Sequence, residues 1–516
     1  MMDAEQGCWL LNKEPNKKRL QNLLGSSLKL TDEDQWQSTR CLLDDFDWHL
    51  HQAGLTLFYT SQNRQQVLNS EASLYEGEAL LCRQPLTQHP RFWQDLPEGE
   101  LQDQLKKHLG LNSLRAVLQV AQQHELLACR DDEGKVVLRL EILRQQIHSL
   151  ASEETPRKHR ILFRLLPLRG YASEAAKVMD LLDKLLLEPA QPLKASELLE
   201  FCALNPQQAC PDNLLPHDAS EATATALRHT ALQFLQQARR YEPGILADTD
   251  TEFLHQYRVN LRRVRSLLSL LKQALPQEQG RQLRQRLAAL AANTGQLRDL
   301  DVFLLQKDFY QQLLPQVYRP GLEALLKTTA RQRKKIHQTL TRQLLATTHE
   351  SDYHWLQQQL AVEVPEDLLD ASAPLANLPL GEVATQKIRK SHKRICRFVA
   401  DLDENTPDEQ VHELRIECKK LRYLLDFFSL LYPAEQIKPQ LKALKRLQNI
   451  LGDFNDFGVQ QVFLLQQLQA NTPPEQVAAV NGLVALLYSK QLLARNKVMK
   501  ALAAYAAQPL QLEITA

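Results

Sequence analysis

A chain that repeats one charged pattern at a fixed interval must build the same local structure twice, and this chain does so. His255-Gln-Tyr-Arg258-Val-Asn-Leu-Arg262-Arg263-Val-Arg265 returns 157 residues later as His412-Glu-Leu-Arg415-Ile-Glu-Cys-Lys419-Lys420-Leu-Arg422. The same interval carries Gly295-Gln-Leu-Arg298-Asp299 onto Gly452-Asp453-Phe454-Asn455-Asp456, and Arg240 onto Arg397. A constant register over such distances marks an internal duplication, so the basic pattern belongs to a repeated structural unit.

On a helix turning about 100° per residue, the repeated bases fall within roughly ±80° of one direction. His255, Arg258, Arg262, Arg263 and Arg265 therefore share a face, and so do His412, Arg415, Lys419, Lys420 and Arg422. Val259, Leu261, Val264, Leu267 and Leu268 are left for packing in the first copy. Each helix is expected to present a cationic ridge about 15 Å long. Like charges held on one face repel, so each ridge requires a negative partner. Asp299, Asp301, Asp453 and Asp456 could each hold one arginine but are too few to neutralise both ridges. An external anion is implied.

The 516-residue chain is 44 % hydrophobic and only 6 % aromatic, with 16 glycines, a balance that favours helices. Its formal charge of +1 conceals an asymmetry: residues 1–220 carry 24 Lys and Arg against 31 Asp and Glu, and residues 221–516 carry 38 against 30. The second part is thus the one expected to meet an anionic partner. Eight scattered cysteines, Cys210 among them, show neither paired nor metal-ligand spacing, as expected of reduced thiols in a cytosol. Residues 1–11 do not read as a signal peptide, and no run approaches the roughly 18 apolar residues that span a bilayer, so the expectation is a soluble, cytoplasmic protein.

Prolines and polar residues over 205–220 separate residues 1–204 from a helical region at 221–508. Helical spacing places four helices in a first repeat, 221–362, at about 222–241, 250–274, 279–307 and 320–347. A linker from Glu363 to Pro379 leads to a second repeat, 380–508, with helices at about 381–401, 408–431, 436–469 and 475–505. The expected architecture is mainly α, with two tandem pseudo-symmetric four-helix units preceded by a smaller α+β domain. In that domain Leu55–Tyr59, Lys135–Ile142 and Arg160–Leu166 read as strands, the second after a turn at Asp132-Glu-Gly134. Leu101–Leu109 and Ser173–Leu187 read as helices, with Ser173 as an N-cap.

Further bases sit on the other expected helices: Arg331, Arg333, Lys334, Lys335 and His337 in one repeat, and Lys387, Arg389, Lys390, Lys393, Arg394 and Arg397 in the other. Lys442, Lys445 and Arg446 add a third run. Convergent faces would line a groove for a linear polyanion, arginine making forked contacts to phosphate oxygens and lysine adaptable ones.

The paired His-x-x-Arg helices, the Gly-Gln-Leu-Arg298-Asp299-Leu-Asp301 segment and the duplicated layout resemble the CHAD domain, the conserved-histidine α-helical domain, over about residues 220–508. The resemblance implies a module that binds inorganic polyphosphate and can bring its host to polyphosphate granules. Carried over by position, the phosphate contacts are His255, Arg258, Arg262, Arg263 and Arg265 with His412, Arg415, Lys419, Lys420 and Arg422. Arg298 joins them, while its counterpart Asn455 departs from the basic pattern. Gln236 and Gln237 likewise correspond to Lys393 and Arg394, so the repeats are expected to contribute unequally. Lys334, Arg397, Lys442 and Lys445 complete the expected set.

The first domain is similar to the CYTH family, the triphosphate-tunnel fold, through Asp45-Phe-Asp47 and Gly54-Leu55. Residues 1–20 lack the Glu-x-Glu-x-Lys strand by which that family holds metal and phosphate, which implies a degenerate, inactive tunnel. His49-Leu-His51 would share a face on a strand, but no third ligand accompanies them, so they read as a surface pair rather than a metal site. No metal, cofactor or catalytic group is called for, and the reading is a binding protein rather than an enzyme. Two alternatives stand beside it. One is a metal-dependent triphosphatase or polyphosphatase using the first domain. The other is a nucleic-acid binder, against which the ridges show few aromatics for stacking on bases.

Overall fold

In the computed structural model, which describes residues 7–25, 28–150, 157–183, 188–191, 193–206, 218–362, 372–401 and 406–506, the chain divides into two compact units, residues 1–213 and 214–516. Cys210, the 207–217 part of the expected linker, residues 184–187 and residues 363–371 lie outside the described residues.

Among the described residues the first unit is built on nine strands: β1 (Cys8–Leu11), β2 (Lys29–Asp44), β3 (Leu55–Arg64), β4 (Val67–Glu76), β5 (Ala79–Leu86), β6 (Arg115–Arg130), β7 (Val136–Ser149), β8 (Lys158–Pro167) and β9 (Glu188–Pro189). They pair antiparallel in the order β5-β4-β3-β2-β6-β7-β8-β1-β9. Among the described residues five helices accompany them: α1 (Lys17–Leu24), α2 (His49–Gln52), α3 (Glu100–Leu109), α4 (Ala172–Asp183) and α5 (Ala195–Phe201). Helix α3 lays Leu101, Leu105 and Leu109 on Leu43, Leu57 and Leu74, and α4 covers Trp9, Leu138 and Phe163 with Ala175, Val178 and Leu182. Between β6 and β7, Gly134 adopts φ 80° and Asp131 accepts from the amides of Glu133 and Lys135, the chemistry of a tight turn.

Two features of this unit differ from the sequence expectation. Ser173 lies inside α4 and not at its cap, its hydroxyl donating to Glu174. His49 and His51 lie on helix α2, not on a strand, so they point apart: His49 pairs with Asp45, and His51 sits edge-on to Trp48. The long strands β2 and β6 escaped the sequence reading because acids crowd Thr31–Gln37 and β6 is rich in Ala, Gln and Leu. Pairing within a large sheet overrides such weak local preferences.

The second unit is helical: α6 (Thr223–Arg240), α7 (Glu242–Leu246), α8 (Thr251–Leu270), α9 (Gln277–Ala292), α10 (Gly295–Leu305), α11 (Lys307–Leu313), α12 (Arg319–Leu344), α13 (Thr347–Ala361), α14 (Leu380–Ala400), α15 (Asp408–Phe427), α16 (Ala434–Gln466) and α17 (Pro474–Ala506). The expected helix over 279–307 is two helices, α9 and α10, broken at Asn293-Thr294. Its counterpart α16 runs unbroken for 33 residues. The first repeat also adds α7, α11 and α13, which the spacing did not reveal.

Helices related by the 157-residue interval lie against each other: α6 on α14, α8 on α15, and α12 on α17. At the first of these contacts Thr223 N donates to Leu378 O at 3.1 Å and Leu380 N to Glu221 O at 2.9 Å, an exchange between equivalent residues. Phe303, Tyr310, Leu322 and Leu325 from one repeat share a core with Leu464, Val480, Leu483 and Leu487 from the other. Within Pro474–Leu502 one 18-residue window is apolar enough, by length and composition only, to cross a bilayer, a property that core helices share; here the helix packs on α12 and α16.

The α12–α17 contact is close: a β-carbon on Gly321 would lie 2.1 Å from the Glu475 carbonyl oxygen, backbone that no rotamer change can move. Gly321→Ala is therefore expected to destabilise the second unit by roughly 1–3 kcal/mol through overpacking, read from the midpoint of chemical unfolding.

Candidate functional site

Helix α8 starts where the Asp250 carboxylate accepts from the amides of Glu252 and Phe253, fixing its N-terminus and hence the rotation of its faces. Phe253, Leu254, Tyr257, Leu261, Val264 and Leu268 then recur at helical spacing and are buried. Helix α15 buries Val411, Leu414, Cys418, Leu421 and Leu425 in the same way. Packing these faces leaves the two basic faces alongside each other.

Between α8 and α15 lies a groove of about 450 Å³, whose cationic lining is Arg262 and Arg265 from α8, Lys419 and Lys420 from α15, and Arg284 from α9. Ser266 and Ser269 add hydroxyls, and Leu270, Ile416 and Tyr423 give it an apolar part. Arg262 is the centre of the charge. Burial chiefly, and then the guanidiniums of Arg298, Arg262 and Arg258, push His255 down to about 4. Burial chiefly, and then Arg415 and Arg262, pull Lys419 down to about 8. Arg258, Arg298 and Arg415 are also lowered from the ordinary guanidinium value, with burial the largest cause and Arg262 a further one in each. Bases from both repeats therefore feel one side chain.

The internal acids act locally. Asp456 lies 3.5 Å from Arg415, and Asp299 is near Arg258 and Arg298. Asp301, expected to hold a ridge arginine, instead takes Arg333 of α12 at 2.8 Å, and Asp248 takes the same guanidinium at 2.5 Å. A counter-charge that the sequence reading missed is Glu417, buried on α15, which accepts Lys420 at 2.8 Å and lies 3.5 Å from Arg394. It stands where the first repeat has Asn260. Arg284, Ser266, Ser269 and Tyr423 were also missed, because none of them belongs to the repeated motif; only the fold brings Arg284 to the groove.

The two copies of the motif are not alike in detail. Arg258 inserts into the α9–α10 break, donating to Ala291 O (3.2 Å) and Thr294 Oγ1 (2.6 Å). It thereby caps the carbonyl end of α9 with a cation. In the unbroken α16 there is no such break, and Arg415 turns to Asp456. The departure of Arg298 to Asn455 has a direct consequence at the histidines. His255 faces a guanidinium, whereas His412 Nδ1 donates to Asn455 Oδ1 at 2.9 Å.

The remaining expected residues lie at varied distances from the groove. Arg263 stands over the Phe234 ring, its carbon 5.3 Å from the centroid. Arg422 reaches Gln448 of α16 at 3.0 Å and Asp426 at 3.3 Å. Lys334, Lys393, Arg397, Lys442 and Lys445 are exposed and do not line the groove. Arg333 and His337 are tied down by Asp248, Asp301 and the Ile245 carbonyl, and neither lines the groove. Among the described residues no cluster of three or more His, Cys, Asp or Glu side chains could hold a metal ion.

Residues 229–465 match the model of the CHAD domain family. This part of the chain is a CHAD domain. Over 246 residues the chain is 27 % identical to two proteins of Mycobacterium tuberculosis, described as Uncharacterized protein Rv2226 and Uncharacterized protein MT2285, matching 47 % of this chain and 45 % of each relative. The chain thus spans less than half the length of these relatives. Among solved structures it is similar to the CHAD domain from the plant Ricinus communis (26 % identity, TM-score 0.49, 58 % of this chain and 98 % of the other). It is also similar to PptA from Streptomyces chartreusis (17 % identity, TM-score 0.42, 55 % and 99 %).

Within the CHAD domain, Arg298→Asn would give His255 the neighbour that His412 has. Removing a positive charge makes the imidazolium less costly, so the His255 pKa is expected to move up from about 4 towards its ordinary value. Because the folded-state value lies below the unfolded one, stability is lost as pH falls from about 6.5 to about 4, and the variant should lose less. An NMR titration of the ring protons reads the shift; an unchanged midpoint would refute the coupling to Arg298.

Proposed function

We propose that the CHAD domain of this protein binds inorganic polyphosphate in the groove between α8 and α15. The observation that carries the reading is the meeting of both cationic ridges around Arg262, where like charges outnumber the carboxylates at hand. Arg262, Arg265, Arg284, Lys419 and Lys420 would contact phosphate oxygens directly. Arg258, Arg298 and Arg415, with His255 and His412, would sustain the positive field or meet the chain at the groove ends. Arg263, Arg422, Lys334, Lys393, Arg394, Arg397, Lys442 and Lys445 would serve as outlying contacts for a longer chain. A flexible chain of closely spaced negative charges suits this row of guanidinium forks and ammonium groups.

The repeats would form a pseudo-twofold pair of helical units, a reading supported by the reciprocal hydrogen bonds of Thr223 and Leu380. The first unit would be a degenerate CYTH-like domain without catalytic function. Its β1 reads Cys-Trp-Leu-Leu where that family carries its acidic metal-binding strand. In this reading the protein is cytoplasmic and is brought to polyphosphate granules by its CHAD domain, acting by binding and not by turnover.

Calorimetric titration with long-chain polyphosphate tests the proposal. Binding should weaken steeply as salt rises, since phosphate-bound counterions are released. Arg262→Ala should cost about tenfold in affinity, the worth of one charge-assisted hydrogen bond, and alanine at Arg262, Arg265, Lys419 and Lys420 together should abolish saturable binding. Undiminished affinity in the fourfold variant, or displacement of polyphosphate by DNA or RNA at equal phosphate concentration, would sink it.

Lys419 makes a second test. Its folded value of about 8 lies below the ordinary lysine range, so in the free protein it deprotonates as pH rises through 8. A bound polyanion favours the charged form, so binding near pH 8 should take up protons and affinity should fall towards pH 9. Lys419→Arg should flatten that dependence. Titration in two buffers of different ionisation enthalpy measures the uptake, and its absence in the unaltered protein would remove Lys419 from the site.

A further inference from the structure

Successive side chains on a strand alternate between faces, so residues paired across neighbouring strands line up on one face. In the first unit, the pairings Ser38 with Gln122, Gln122 with Gln145, and Gln145 with Arg160 make one such row across β2, β6, β7 and β8. A second row runs Arg40, Val120, Ile147, and a third runs Trp36, His124, Leu143, Leu162. On this face lies a cavity of about 200 Å³ whose polar lining is Arg40, Gln122, His124, Gln145 and Arg164. Its wall is aliphatic, from Leu143, Ile147 and Leu162 of the sheet and Leu198 of α5, all buried.

The donors and acceptors here do not balance. Glu141, the carboxylate bonded to this lining, has both oxygens taken, one by His124 Nδ1 at 2.7 Å and the other by Arg164 Nη1 at 2.9 Å. His124 meets Ser38 through its other nitrogen, and Gln122 Oε1 accepts from the same hydroxyl, leaving the Gln122 amide group to donate. Arg40 lies with its guanidinium carbon 3.6 Å from the centre of the Phe58 ring and makes no ion pair among the described residues. Arg160, on the same face of β8 as Leu162 and Arg164, keeps Nη1 buried without a hydrogen-bond partner. Two guanidiniums, of Arg40 and Arg164, thus line a cavity whose neighbouring carboxylate Glu141 is already shared between His124 and Arg164, which leaves Arg40 without an acid partner among the described residues. Buried donors left in that state are costly, and an incoming oxyanion would satisfy them.

We propose that this cavity binds a small aliphatic carboxylate, its head held by Arg40 with the amides of Gln122 and Gln145, its hydrocarbon body against Leu143, Ile147 and Leu162. An inorganic phosphate chain fits less well, because it would leave the aliphatic wall facing a highly charged, hydrated ligand. At about 200 Å³ the cavity falls below the roughly 300–1,000 Å³ of sites for drug-sized molecules, which limits the occupant to a short chain. This site is separate from the groove of the CHAD domain, and its existence does not depend on polyphosphate binding there.

The test is calorimetric titration of the full chain with hexanoate, with hexanol as the uncharged analogue. Hexanoate should bind at one site at least tenfold more tightly than hexanol. Arg40→Gln should weaken hexanoate at least tenfold, and Val120→Phe, which fills the cavity while keeping Arg40, should abolish binding with the circular-dichroism spectrum unchanged. In the unaltered protein, methyl-labelled NMR should show hexanoate-induced shifts at Ile147 and Leu162, a readout that stands even if a variant fails to fold. The proposal is overturned by absence of saturable hexanoate binding, by methyl shifts elsewhere only, by equal affinity in both folded variants, or by displacement of hexanoate from Ile147 and Leu162 by tripolyphosphate with magnesium.

Discussion

Repulsion among like charges is the constraint on which the second unit turns. Two amphipathic helices, each apolar on one side and basic on the other, can bury their apolar sides together only by bringing the basic sides close. The fold accepts this at Arg262, whose field reaches His255, Arg258 and Arg298 in its own repeat and Arg415 and Lys419 in the other. Hydrophobic burial holds the helices in place against that repulsion. Tyr257, Leu261, Val264, Leu414, Cys418 and Leu421 are essentially inaccessible to solvent. The charge is thus preorganised by the core.

The unfavourable field is relieved unevenly. In the first repeat the break between α9 and α10 gives Arg258 a carbonyl and a hydroxyl to donate to, so a cation is stabilised by a helix end. In the second repeat the helix runs through, and carboxylates take over: Asp456 at Arg415 and the buried Glu417 at Lys420 and Arg394. Two copies of one motif have therefore reached the same outward charge by different internal means. The pair Arg298 and Asn455 follows the same division, one repelling its histidine and the other bonding it.

Much of this was legible in the chain. Helical spacing located α6, α8, α12 and the four helices of the second repeat to within a few residues, because each carries a continuous apolar stripe bounded by proline. The α9–α10 break was not legible, since Thr294-Gly295 is a weak stop and its stability comes from Arg258, remote in sequence. The sheet was harder still. Strands β3, β7 and β8 stand out through alternating β-branched, aromatic and leucine residues, but the first half of β2 is acidic and takes its form from pairing with β3 and β6.

By itself the sequence determined that a basic helix occurs twice, which residues lie on its charged face, and that the copies differ at Arg298 and Asn455. It did so because helical periodicity and a fixed repeat interval are local properties of the chain. Only the tertiary structure decided which bases share a groove. Arg265 and Lys420 line it while Arg263 turns to Phe234, Arg284 joins from outside the motif, and Arg333 is diverted to Asp248 and Asp301. The physical reason is that charge convergence depends on how helices far apart in sequence rotate and pack, and that is set by the shape of the buried core.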